Sequence, residues 1–161
     1  MGKTRLTIDR TIAAPPEAVF EHATNVEQWP EIVPAIVKTE LLTPGPVQVG
    51  TRFRETRVMF GKEASEEMEF LVLDPPKRYL LGAESHGSRY RTEFTLEPVD
   101  GGTKLTMTFR GEPLTFFAKV MTFMMKPFMG KMLDMCAKDL DAIKAHLEGR
   151  QSDGAGAAEN A

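Results

Sequence analysis

The sequence predicts an α+β fold in which a curved, seven-stranded antiparallel sheet wraps around one long C-terminal helix, with two short helices after the first strand. Three observations carry this expectation. Apolar and polar residues alternate in short runs separated by Gly, Pro and Asp turns, the mark of strands with one dry face. From Phe117 to Leu147 the apolar residues instead recur at steps of three or four, which makes one stripe on a helix. An antiparallel sheet with one wet face must cover its dry face, and that helix is the only long cover available.

The elements follow in order. Residues 4–12 set Leu6, Ile8 and Ile12 on one face and Arg5, Thr7, Asp9 and Thr11 on the other, a half-buried strand. Pro15 or Pro16 suits the first turn of a short helix over 15–23, where a missing N–H costs nothing. A second short helix is expected over 25–30, with Asn25 as its N-cap and Pro30 as its stop. Strands follow at 35–43 and 51–60, with Gly61-Lys62 as a hairpin turn into 63–74. There Met68, Phe70 and Val72 share one parity and Glu67 and Glu69 the other. After Asp74-Pro75-Pro76-Lys77, strands at 78–85 and 89–98 are joined near His86-Gly87, and Asp100-Gly101-Gly102 turns into 103–111. Pro113 opens the helical stretch, whose stripe is Phe117, Met121, Met124, Phe128, Met132, Cys136, Leu140, Ile143 and Leu147. Pro127 and Gly130 predict a kink or break within it, and Gly149 its end. Residues 1–149 thus read as one domain, and residues 150–161, with nothing to bury, as a disordered tail.

The totals narrow the function classes. A chain of 161 residues with a net charge of -3 is unlike the usual basic nucleic-acid binder. A single cysteine, Cys136, forms no internal disulfide and no thiolate metal site, and points to a reducing, cytoplasmic setting. The first ten residues hold no apolar run that would serve as a signal peptide, and no stretch is long and apolar enough to span a bilayer. No metal motif, nucleophile elbow or phosphate-binding glycine loop occurs, so no cofactor is expected. Ten Met and ten Phe stand against two Tyr and one Trp, a composition suited to irregular apolar surfaces.

The segment from Ile8 through Ala13-Ala14-Pro15-Pro16-Glu17 to Phe20, then Asn25-Val26-Glu27-Gln28-Trp29-Pro30, resembles the opening of the START-like, or SRPBCC, superfamily. Later echoes are Val49-Gly50-Thr51-Arg52-Phe53, Asp74-Pro75-Pro76-Lys77-Arg78-Tyr79 and Asp100-Gly101-Gly102-Thr103-Lys104-Leu105. The resemblance is to its polyketide-cyclase/dehydrase and lipid-transport branch and spans roughly residues 4–148. It implies the helix-grip fold and a cavity between sheet and helix. Because that superfamily holds lipid carriers, plant-type ligand binders and aromatase/cyclases, it implies no single activity.

Parity names the residues that would face such a cavity. From strands they are Phe53, Met59, Met68, Phe70, Tyr79, Leu81, Tyr90, Phe94, Met107 and Phe109; the helix adds Met121, Met124, Phe128 and Met132. Each reads equally as plain core. The polar residues of inward parity are Glu55, Arg57, Arg10 and Thr92, which with the two tyrosines would orient a ligand, or else reach water where a strand twists. Three function readings follow. The first is binding or transport of a hydrophobic small molecule, lipid or polyketide-like, without catalysis. The second is a cyclase or aromatase in which Glu55 with Tyr79 or Tyr90 moves protons. The third is an interaction module docking through residues 114–133, a segment rich in Phe and Met whose charges are all lysines. That segment would serve as core, as a gate hinged at Pro127, or as a transient contact with a membrane surface, in a monomer or a homodimer.

Overall fold

The computed structural model describes the backbone of residues 3–159 and the side chains of residues 3–149. The elements are β1 (Thr4–Ile12), α1 (Pro16–Thr24), a short 3-10 turn (Val26–Gln28), α2 (Trp29–Ile32), β2 (Ile36–Leu41), β3 (Arg52–Met59), β4 (Lys62–Asp74), β5 (Arg78–Ser85), β6 (Ser88–Val99), β7 (Gly102–Pro113), α3 (Phe116–Met125), a second 3-10 turn (Lys126–Phe128) and α4 (Met129–Glu159). All seven strands pair antiparallel in one sheet of order β1-β7-β6-β5-β4-β3-β2. The chain's order is followed except that β1 docks on β7. Gly102 permits the close approach there, since a Cβ would lie 2.0 Å from the Ile12 carbonyl oxygen.

The dry face of the sheet closes on α4 and on the short helices. Phe53, Phe70, Tyr79, Leu105 and Leu140 are almost wholly buried in one cluster with Ile12, Val19 and Val26. Arg10 ties the far edge of the sheet to the helix, donating from Nε to Asp141 Oδ1 at 2.7 Å, and Glu148 accepts from the Ala13 amide at 2.9 Å. Arg10 thus faces the helix as its parity says, but it is a partly exposed clamp at the sheet's edge and lines no cavity, a correction to its expected role in orienting a ligand.

Local chemistry departs from the sequence expectations at several points. Pro30 does not stop the second helix; it sits in the first turn of α2, where it lacks nothing, and the Asn25 side chain makes no cap. The β3–β4 turn is Phe60-Gly61, both at positive φ (53° and 79°), so the turn lies one residue earlier than Gly61-Lys62. In β4 the register against β5 shifts between Phe70 and Val72, so Leu73, not Val72, packs on the core. Thr115, not Pro113, opens α3, its Oγ1 accepting from the Ala118 amide at 3.1 Å. The helical stretch breaks at Pro127 as expected, but Gly130 and Gly149 both lie inside α4. An isolated helical glycine costs only about 1 kcal/mol and need not end a helix. The side chains of 150–161, where a disordered tail is expected, lie outside the described residues.

Candidate functional site

Two neighbouring hollows lie between the sheet and the C-terminal helices. The inner one, of about 180 Å³, is bounded by β3 to β7, by α4 and by the α1–α2 region. The outer one, of about 360 Å³, lies under α3 and the Phe60 and His86 hairpins. Met59, Phe109 and Met132 line both and form the wall between them. Flexible thioethers in that wall suit a partition that yields to a guest.

The deep end of the inner cavity is closed by aromatic packing. Trp29 stands edge-on to Phe53 at 5.3 Å, and Tyr79 stacks on Phe94 at 4.5 Å. The carbonyl of Ala23, near the end of α1, accepts from Trp29 Nε1 at 3.1 Å and from the Tyr79 hydroxyl at 3.4 Å. Tyr79 is thus committed to a backbone partner. Burial also pushes its ionisation far above the ordinary tyrosine range, so it is a poor proton donor for catalysis.

The polar wall is built by β3, β4 and α4. Glu55 and Arg57 are two residues apart on β3 and so point the same way. Arg57 donates from Nε to Glu55 Oε1 and from Nη1 to Asp139 Oδ2 of α4, the latter at 3.0 Å. Glu55 is 8% exposed, yet its second oxygen has no hydrogen bond among the described residues. Glu66 of β4 lies directly across from Glu55, a like-charge pairing. Glu66 is exposed to solvent at the rim of the cavity that it helps to line.

Burial raises the carboxyls of Glu55 and Asp139, and the guanidinium of Arg57 reverses part of that rise. Burial and then the neighbouring Glu55 raise Glu66. Burial pulls on Arg57 in the opposite sense, but its two flanking carboxyls more than restore it, so it stays charged. The wall therefore sets three carboxyls against one guanidinium. Cys136 beside it is a free thiol pushed up to about 11 by burial, which leaves it unreactive.

Of the residues that parity places inward, Glu55, Arg57, Met68, Tyr79, Leu81, Thr92, Phe94, Met107, Phe109 and Met132 line the inner cavity. Tyr90, Met121 and Phe128 instead line the outer one. Phe53 and Phe70 lie in the solid core and line neither. Met124 also lines neither and is 62% exposed, because the break at Pro127 turns α3 away from the face that α4 presents. Sequence reasoning missed Asp139 and Glu66. Asp139 falls three residues after Cys136 on the inward stripe, and Glu66 shares the parity of Met68; both signals were an acid at an apolar position.

Seven strands gripping a long helix around a partly polar hollow define a helix-grip protein with a ligand-sized interior. The chain belongs to the family described as polyketide cyclase / dehydrase and lipid transport, which matches residues 3–148. Solved structures agree on the fold. Protein TTHA0849 of Thermus thermophilus aligns with a TM-score of 0.76 at 19% identity, over 91% of this chain and 99% of that one. The Zhui aromatase/cyclase from a Streptomyces species gives a TM-score of 0.76 at 19% identity, covering 92% and 95%. The major latex-like protein 151 of Panax ginseng gives 0.73 at 15% identity, covering 91% and 99%. At such identities the likeness concerns the fold alone. No curated protein sequence matches the chain.

Proposed function

We propose that this protein binds an uncharged, hydroxyl-bearing apolar molecule of the phenolic or polyketide-like kind in the inner cavity. The observation that carries the reading is the wall itself: Glu55, Glu66 and Asp139 face an otherwise apolar hollow, with Arg57 already bonded on two sides. A ligand hydroxyl would donate to the unbonded oxygens of Glu55 or Glu66. A ligand carboxylate would meet three carboxyls against the one charge that Arg57 offers, and would have to be desolvated there. A simple fatty acid is therefore the wrong guest.

Size supports the same class. A dry cavity of about 150 Å³ holds one benzene ring in another protein. The inner hollow at about 180 Å³ takes one ring of a larger molecule, whose remainder would push past Met132 into the outer hollow. Burial of ring surface would supply affinity at roughly 25 cal/mol per Å² before ordering costs.

The cyclase reading loses its tyrosine, since the Tyr79 hydroxyl donates to the Ala23 carbonyl and Tyr90 lines the other hollow. Binding without chemistry is the function the geometry favours. Titration with naphthol and naphthoate, followed by calorimetry, tests the reading. Naphthol should bind roughly tenfold more tightly or better. Equal or tighter binding of naphthoate would show that the wall does not select against carboxylates.

A further inference from the structure

We infer that α3 and the Phe60 turn form a docking face for an anionic lipid bilayer, set around the mouth of the outer hollow. Phe116, Val120 and Phe123 recur at helical spacing on α3 and point to solvent. Phe116 is 82% and Phe123 71% exposed, with no element of the described chain covering them. The neighbouring face of α3, through Phe117, Met121 and Met125, lines the outer hollow. The helix therefore carries apolar residues toward both sides and is cut off from the core by the 3-10 turn at Pro127.

Phe60 adds an exposed ring from a different element, on the hollow that Phe117 and Met121 of α3 also line. It occupies a left-handed turn position (φ 53°) that Asn or Gly would adopt more cheaply, is 55% exposed, and lines the outer hollow with α3. Two elements far apart in sequence thus present phenyl rings around one opening. Contiguous exposed apolar surface of this kind marks an interaction site.

Charge decides the partner. Residues 114–133 hold Lys119, Lys126 and Lys131 and no acid, in a chain of net charge -3. The ammonium groups of Lys126 and Lys131 lie 5.5 Å and 5.6 Å from the ring centres of Phe123 and Phe128. Rings beside lysines match the boundary between acyl chains and acidic headgroups, where an apolar body sinks and a charged tip stays wet. A second copy of this chain fits less well, because a two-fold contact through the same face would set lysines against lysines. A bilayer met in this way would seal the outer hollow against acyl chains, so that an apolar guest could pass without crossing water.

Vesicle co-sedimentation of the full chain tests the inference. With vesicles of equal parts phosphatidylcholine and phosphatidylglycerol the protein should partition, with pure phosphatidylcholine much less, and added salt should weaken the first. Lys119→Gln, Lys126→Gln and Lys131→Gln together should lower the partition coefficient about a hundredfold. Phe116→Ser with Phe123→Ser should abolish it, while circular dichroism shows an unchanged melt. No partition of the folded wild type, or partition that neither variant alters, would overturn the inference. So would a concentration-dependent dimer in light scattering that the Phe variants dissolve, since the face would then be occupied by a second copy.

Discussion

Phe53 on β3 and Phe70 on β4 expose nothing, whereas Phe116 and Phe123 on α3 leave 82% and 71% of their surface bare. The two pairs share a side chain and differ in what surrounds it. Phe53 is held between Trp29 and Phe70 by rings at 5.3 Å and 5.6 Å. Around Phe116 there is only a three-turn helix, capped by its own Thr115 and buried only at Ala118. The grip end of the molecule is built for stability, and the α3 end leaves apolar surface uncompensated. Such a division is what a protein that takes up an apolar guest requires: one region that does not move and one whose surface is open to a partner.

The contrast can be broken by substitution, starting where the effect is largest. Phe53→Ala should cost about 4 kcal/mol in urea unfolding, since it empties a fully enclosed site. A loss under about 1 kcal/mol would mean that the grip end is looser than its packing implies.

Arg57→Met comes next. It leaves the largely buried carboxylates of Glu55 and Asp139 without their cation and should cost roughly 3 kcal/mol at neutral pH. The loss should shrink on acidification. Carboxyls that titrate higher in the folded than in the unfolded chain bind protons preferentially in the fold, so stability rises as pH falls toward the ordinary carboxyl range. A pH-independent deficit would show that the cost is lost packing and not unpaired charge.

Glu55→Gln should be mild, under about 1 kcal/mol, because Arg57 keeps Asp139 and one raised carboxyl disappears. In the wild-type protein, stability should decline as pH rises from the ordinary carboxyl range through the raised values of Glu55, Glu66 and Asp139. The Gln variant should show a shallower decline in pH-dependent melts. Smallest of all, Phe116→Ser should change unfolding stability by no more than about 0.5 kcal/mol, since its ring touches so little.

The fold was legible where one period governs a whole element. In β7 the alternation of Leu105, Met107 and Phe109 with Lys104 and Thr106 names the inward face, and it slips only at Thr108, which is buried beside a partly buried Phe109. Legibility failed where a local irregularity resets the phase. The register shift near Leu71 hands the core position from Val72 to Leu73. The turn at Pro127 does the same for helices: the stripe from Phe117 to Leu147 looks continuous as a string, yet only its part after Met132 reaches the main core. Inner-cavity residues on strands followed from parity. The acids Glu66 and Asp139 did not, because a charged residue at an apolar position reads as an exception until its partner across the cavity is known.

The central claim is that the inner hollow is a guest site and not a packing defect. The direct measurement is titration with a neutral fluorescent naphthylamine probe of the wild-type protein and of Ala64→Trp, which sets a large side chain at the cavity rim with room to enter. The account predicts saturable binding to the wild type and a loss of at least about tenfold in affinity in the variant, with both proteins folded. Absence of binding to the wild type, or equal binding to both, would contradict it.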